Sequence, residues 1–178
     1  MNLKRHCDLC QHQKLSLEKG SICGVTNKKP NFNRTCVRIR FDKKLKNILE
    51  DIIIEFEELK QSKKKAYINF LFSLIFGAII VVSGYFVWKY FIENYNLNSR
   101  AGSEFLALLV LFIGVGFYII KNAINKLNKF KIKLINIKND KIDVDETLRL
   151  YNKKYDYRID FNKEIHGIKE VEIDIKFN

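Results

Sequence analysis

Residues 66–88 read AYINFLFSLIFGAIIVVSGYFVW, 23 consecutive positions without a charged side chain. Coiled as an α-helix they extend about 35 Å, enough for a hydrocarbon core of about 30 Å. A soluble helix of that length shows a polar stripe. Here the only polar side chains are Asn69, Ser73, Ser83 and the tyrosines Tyr67 and Tyr85. The stretch predicts a transmembrane helix over 66–92.

A second block, Phe105–Ile120, reads FLALLVLFIGVGFYII, 16 uncharged residues or about 24 Å of helix. Glu104 at one end and Lys121 at the other can reach an interface. Placed as the return leg of a hairpin, it predicts a second span over 104–121, joined to the first by a loop at 93–103. Both blocks lie far from Met1 and the first is too long for the apolar region of a signal peptide.

Flanking charge sets the orientation. Lys60, Lys63, Lys64 and Lys65 precede the first span, and Lys121, Lys126, Lys129, Lys131 and Lys133 follow the second. The connecting stretch from Glu93 to Glu104 carries one Arg against two Glu. The positive-inside rule then puts both termini in the cytoplasm, with Trp88, Tyr90, Phe91 and Tyr95 as an outer aromatic belt. Lys63, Lys64, Lys65 and Lys121 are the candidates for anionic lipid head groups.

The whole chain has 178 residues and a formal charge of +12, from 32 Lys and Arg against 20 Asp and Glu. Of the basic residues 25 are Lys, so the charge is mostly point-like ammonium. A single Pro and eight Gly exclude collagen-like and Pro/Gly-rich disordered classes.

Two heptad-like series flank the spans. Leu45, Leu49, Ile52, Phe56 and Leu59 recur at spacings of four and three behind Asp42, a suitable N-cap, so a helix is expected from about Lys43 into the membrane. Ala123, Leu127, Phe130, Leu134 and Ile137 keep the same rhythm, followed by Lys141, Val144, Leu148 and Tyr151. The expectation is a cytoplasmic antiparallel coiled coil made by helices over 42–65 and 122–154. Two ordinary amphipathic helices with a break near Asn139-Asp140, or a strand at 130–137, are the alternatives.

The tail, 155–178, changes period. Tyr155, Tyr157, Ile159 and Phe161 alternate with polar residues, and Val171, Ile173, Ile175 and Phe177 do so again after Asn-Lys-Glu-Ile-His-Gly. This predicts a β-hairpin with one apolar face. A hairpin alone is marginal in water, so that face must cover something.

All four cysteines fall in the first 41 residues, as Cys7, Cys10, Cys23 and Cys36. In a reducing compartment disulfides are not expected. The segment has few apolar residues, so the four thiols predict a structural zinc knuckle over 1–41. Gly24 suits a turn whose amides face a metal-bound sulfur. An iron–sulfur cluster, a Cys7/Cys10 redox pair and unliganded thiols are the alternatives. His6 and His12 flank the pair; either could replace one Cys as a ligand, but a surface histidine is the expectation for each.

The stretch CDLCQHQKLSLEKGSICGVTNKKPNFNRTC, followed by two spans, resembles an uncharacterised bacterial family of two-transmembrane proteins. The resemblance extends to the tail around Glu164-Ile165-His166-Gly167. It implies a multi-pass bacterial inner-membrane protein with a cytoplasmic cysteine module, and it brings no activity.

No phosphate-binding glycine loop, H-E-x-x-H or G-x-S-x-G motif is present. His166 has no Ser or Cys partner in view, and no catalytic residue is assigned. Ser73, Gly77 and Gly84 lie where close helix approach is allowed, opposite Gly114 and Gly116. The expected class is a membrane protein, mainly α, acting without catalysis as an adaptor or scaffold. It self-associates or meets another membrane protein; nucleic acid is not an expected partner. A homo-oligomeric pore gated by its cytoplasmic domains is the first alternative. A membrane-anchored thiol-redox or nucleic-acid-binding module is the second.

Overall fold

The computed structural model describes residues 3–94, 100–161 and 171–178. Its elements are α1 (Leu3–Asp8), β1 (Gln13–Ser16), β2 (Gly20–Cys23), α2 (Lys43–Asn94), α3 (Arg100–Leu150), β3 (Tyr155–Phe161) and β4 (Val171–Phe177). The chain divides into two compact units, Met1–Lys60 with Leu134–Asn178, and Gln61–Lys133. The protein is mostly helical, with two long apolar helices and a C-terminal β-hairpin.

α2 begins where the Asp42 carbonyl accepts the amides of Leu45 and Lys46, at 2.9 and 3.3 Å. It then runs for 52 residues without a break. α3 is equally continuous over 51 residues, so it has neither a break at Asn139-Asp140 nor a strand at 130–137. Alternation of Phe130, Ile132 and Leu134 with lysines is too short a signal against the helical rhythm around it. α3 ends at Leu150, short of 154. Asn152 turns left-handed at φ 53, while the Lys153 amide bonds the Leu148 carbonyl at 3.0 Å and the Asn152 amide bonds that of Arg149 at 3.2 Å. These two bonds make a Schellman closure, with Asn supplying the left-handed residue.

In the unit Gln61–Lys133, α2 and α3 pack antiparallel through glycine. A Cβ built on Gly77 would stand 2.6 Å from Ile120 Cγ1 and 3.0 Å from the Gly116 carbonyl oxygen. One on Gly116 would meet Val81 at 2.8 Å and the Gly77 carbonyl at 3.1 Å, and one on Gly84 would meet Ile113 at 2.6 Å. Gly114, expected at this contact, has open space around it. It stands about 200° around the helix from Gly116, so only one of the two can face α2. Near the C-terminal end of α2 and the N-terminal end of α3, Phe91 and Phe105 stack at 4.3 Å. Ser73 is partly buried, and Lys63, Lys64, Lys65 and Lys121 are exposed. Most large apolar side chains here point outward: Phe72, Phe76, Phe86, Leu111 and Phe117 are each 59–69% exposed. Each helix is long and apolar enough to cross a membrane.

In the other unit, burial follows the four-and-three spacing. Leu45, Leu49, Ile52 and Leu59 on α2, and Ile137, Val144 and Leu148 on α3, are buried, with Phe56, Leu134, Lys141 and Tyr151 partly so. Ile53 and Thr147 join this core from positions beside the seam. Burial of Leu49, Ile53, Val144 and Leu148, all at 0–1% exposure, contributes about 1.5–3 kcal/mol for each side chain.

The C-terminal hairpin is in register with the apolar alternation: Tyr155 faces Phe177, Tyr157 faces Ile175, Ile159 faces Ile173 and Phe161 faces Val171. Lys154 and Asn178 extend the ladder by one pair of backbone bonds, at 2.9 and 3.2 Å. Ile175 is buried, while Phe177 keeps 42% exposure. The turn expected at residues 162–170, with His166, lies outside the described residues, as does part of the 93–103 stretch.

Candidate functional site

The cysteine module is built from tight backbone turns. Cys7 lies in the last turn of α1, and the Cys10 amide bonds the Cys7 carbonyl at 3.0 Å, so the two thiols flank one turn. From Gln13 the chain runs out as β1 and returns as β2, with Gln13 opposite Cys23. Gly20 makes the return at φ 72, a value a glycine adopts without strain. After Cys23 a second turn closes: the Asn27 amide reaches the Cys23 carbonyl at 2.7 Å, and the Cys23 amide reaches that of Lys28 at 3.0 Å. The Gln11 amide bonds the Arg40 carbonyl at 2.9 Å and draws the segment after Cys36 alongside the first turn.

The four cysteines line one cavity of about 410 Å³. Lys28, Lys29 and Arg38 stand on its walls beside His6, His12 and Phe32. All four are free thiols, Cys7 and Cys10 buried and Cys23 and Cys36 partly so. Among the described residues no three His, Cys, Asp or Glu side chains are gathered at the spacing of a metal centre.

Two of the sulfurs accept backbone amides. Cys10 Sγ receives the N–H of His12 at 3.4 Å and of Arg40 at 3.5 Å. Cys23 is bonded by the amides of Thr26 and Val25 and by the Thr26 hydroxyl. Burial alone would raise the Cys23 thiol. These bonds, with the nearby Arg38 charge, outweigh it and hold the thiol below its ordinary value. Cys7 goes the other way: burial first, then the charges of Cys10, Cys36, Cys23 and Asp8, push it up to about 11.

His6 is 2% exposed, contrary to the surface position expected of it. Its ring lies 5.3 Å from that of Phe32 and 5.6 Å from that of Tyr151, and Nδ1 is 2.9 Å from the Tyr151 hydroxyl. That hydroxyl also accepts the Cys36 amide at 2.8 Å. The phenol oxygen can accept from Cys36 and still either donate to or accept from His6 Nδ1, so the direction of that bond follows the tautomer of the ring. Burial lowers the His6 pKa and so favours a neutral ring. No one-dimensional signal pairs His6 with a residue 145 positions away. Tyr151 is legible in the sequence only as the last position of the second seam.

Comparison with known proteins gives no match to a family model, a curated protein or a solved structure.

Around this centre the module is held by polar contacts. Gln13 Nε2 donates to Asp8 at 2.5 Å and to Ser21 Oγ at 2.8 Å, and Lys44 donates to Gln13 Oε1. Arg5 reaches the Asp140 carbonyl at 3.2 Å and its carboxylate at 3.5 Å. On the opposite strand pair, the Tyr155 hydroxyl donates to Asp145 at 2.6 Å and accepts from Lys141 at 3.2 Å, and the Tyr157 hydroxyl donates to Glu57 at 3.3 Å. Chemically, the arrangement offers four sulfur donors and a cationic rim.

Proposed function

We propose that this chain is a non-enzymatic adaptor of the bacterial inner membrane, a member of the two-span family that its cysteine motif resembles. The two apolar helices form a transmembrane hairpin, and the lysines at 63–65 and 121 meet anionic head groups. Both termini are cytoplasmic. There the flanking helices form an antiparallel coiled coil, which carries the cysteine module and the β-hairpin as docking surfaces for a second copy or another membrane protein. The observation that carries this reading is the outward exposure of the apolar side chains over both uncharged blocks, with charge returning at Lys65 and Lys121. Side chains such as Phe72 and Phe117 need an apolar surround, which water does not supply.

Purification in detergent, followed by mass determination of the protein component, tests the role. A monomer, a dimer or a stable hetero-complex is expected. A closed ring of four or more identical subunits would overturn the adaptor reading in favour of a pore.

A further inference from the structure

Several independent features of residues 7–40 point to one chemistry. The four cysteines reach a common cavity from three separate turns, and none is spent in a disulfide. The backbone amides of His12 and Arg40 are aimed at the sulfur of Cys10, at 3.4 and 3.5 Å. Hydrogen bonds of this kind strengthen when the acceptor is ionised, so the turns are shaped for thiolates. Bare backbone is required beside Cys23: a Cβ on Gly24 would stand 2.8 Å from the His12 carbonyl oxygen, where the Gly24 amide now bonds at 2.6 Å. Lys28, Lys29 and Arg38 line the same cavity. Their charge complements the surplus negative charge that four thiolates keep around a divalent cation.

We propose that Cys7, Cys10, Cys23 and Cys36 bind one soft divalent cation, with zinc as the occupant, in a four-thiolate site. Four sulfurs suit tetrahedral zinc at about 2.3 Å per bond. The cavity is wider than such a cage, so binding draws the three turns together around the ion. Each thiol gives its proton to solvent as its sulfur–metal bond forms, and the folding of the module gains the binding free energy. His6 is left out of the ligand set: its Nδ1 is bonded to Tyr151 and its ring is packed against Phe32 and Tyr151. The site closes whether or not the apolar helices lie in a membrane, so its test is separate from that of the adaptor role.

The test uses the full chain, solubilised in detergent and prepared without chelator. Elemental analysis should give one zinc per chain. The four thiols should resist a thiol-reactive dye until a strong chelator is added, and then react together. Cys23→Ser and Cys36→Ser should each lose most of the zinc and expose the chain before Asp42 to protease, as should chelation of the parent protein. A parent protein with no zinc and four reactive thiols would overturn the proposal. So would bound iron with the colour of a cluster, or a Cys7–Cys10 disulfide whose presence leaves Cys23→Ser and Cys36→Ser fully protected. Because zinc content and thiol protection are read on the parent, a variant that misfolds does not blunt the test.

Discussion

The amide of Cys36 donates to the hydroxyl of Tyr151 at 2.8 Å, across 115 residues of chain. The tyrosine follows the last turn of α3, and the cysteine is the fourth of the module, so one phenol ties the start of the chain to the end of its second helix.

Tyr151→Phe removes that acceptor and also the hydroxyl bonded to His6 Nδ1, leaving two polar groups unsatisfied in a partly buried place. Each such loss costs about 1–3 kcal/mol. The expected result is faster amide exchange and proteolysis over residues 5–40, with the region 66–92 unchanged. Equal protection in the variant and the parent would show that the hydroxyl contributes nothing to holding the module.

Gly77 and Gly116 meet at the contact between the two long helices, and Gly114 takes no part in it. Gly77→Leu should therefore separate the helices and lower the detergent melting temperature markedly, whereas Gly114→Leu should be neutral or slightly stabilising, since Gly costs a helix about 1 kcal/mol against better formers. Ile80→Leu should fall between them. Indistinguishable melting of the two glycine variants would remove this contact from the account.

The Tyr155 hydroxyl sits between Asp145 Oδ1 at 2.6 Å and Lys141 Nζ at 3.2 Å, and Lys141 also bonds Asp145 Oδ2 at 3.0 Å. Burial first, then the bond to Asp145 and the charge of that carboxylate, raise this phenol well above the usual tyrosine value. A raised value means that the folded state prefers the proton. The stabilising contribution is thus complete below the unfolded value of about 10 and is lost as pH climbs through the folded one. Thermal unfolding between about pH 8 and 11 should show the parent losing stability above about pH 10. Tyr155→Phe should fall less steeply over that range, having already lost about 1 kcal/mol near neutrality. Parallel curves would mean that Tyr155 is not the group responsible.

Local spacing determined much of this protein before any partner was known. Leu45, Leu49, Ile52 and Leu59 fix which side of α2 is buried, because a rhythm of four and three returns to one face of a helix. The alternation from Tyr155 to Phe161 and from Val171 to Phe177 fixes the register of the hairpin, since a slip of one residue would turn every apolar side chain to the wrong face. The uncharged runs at 66–88 and 105–120 are equally plain, as is the confinement of every cysteine to one short segment. Tertiary structure decided the rest. It chose Gly116 over Gly114, buried His6, and made Tyr151 a bond between distant segments. It also ended α3 at Leu150, where the left-handed Asn152 closes the last turn. Each of these depends on which surface arrives opposite a residue, and periodicity within one element carries no record of the neighbour that the fold will bring to it.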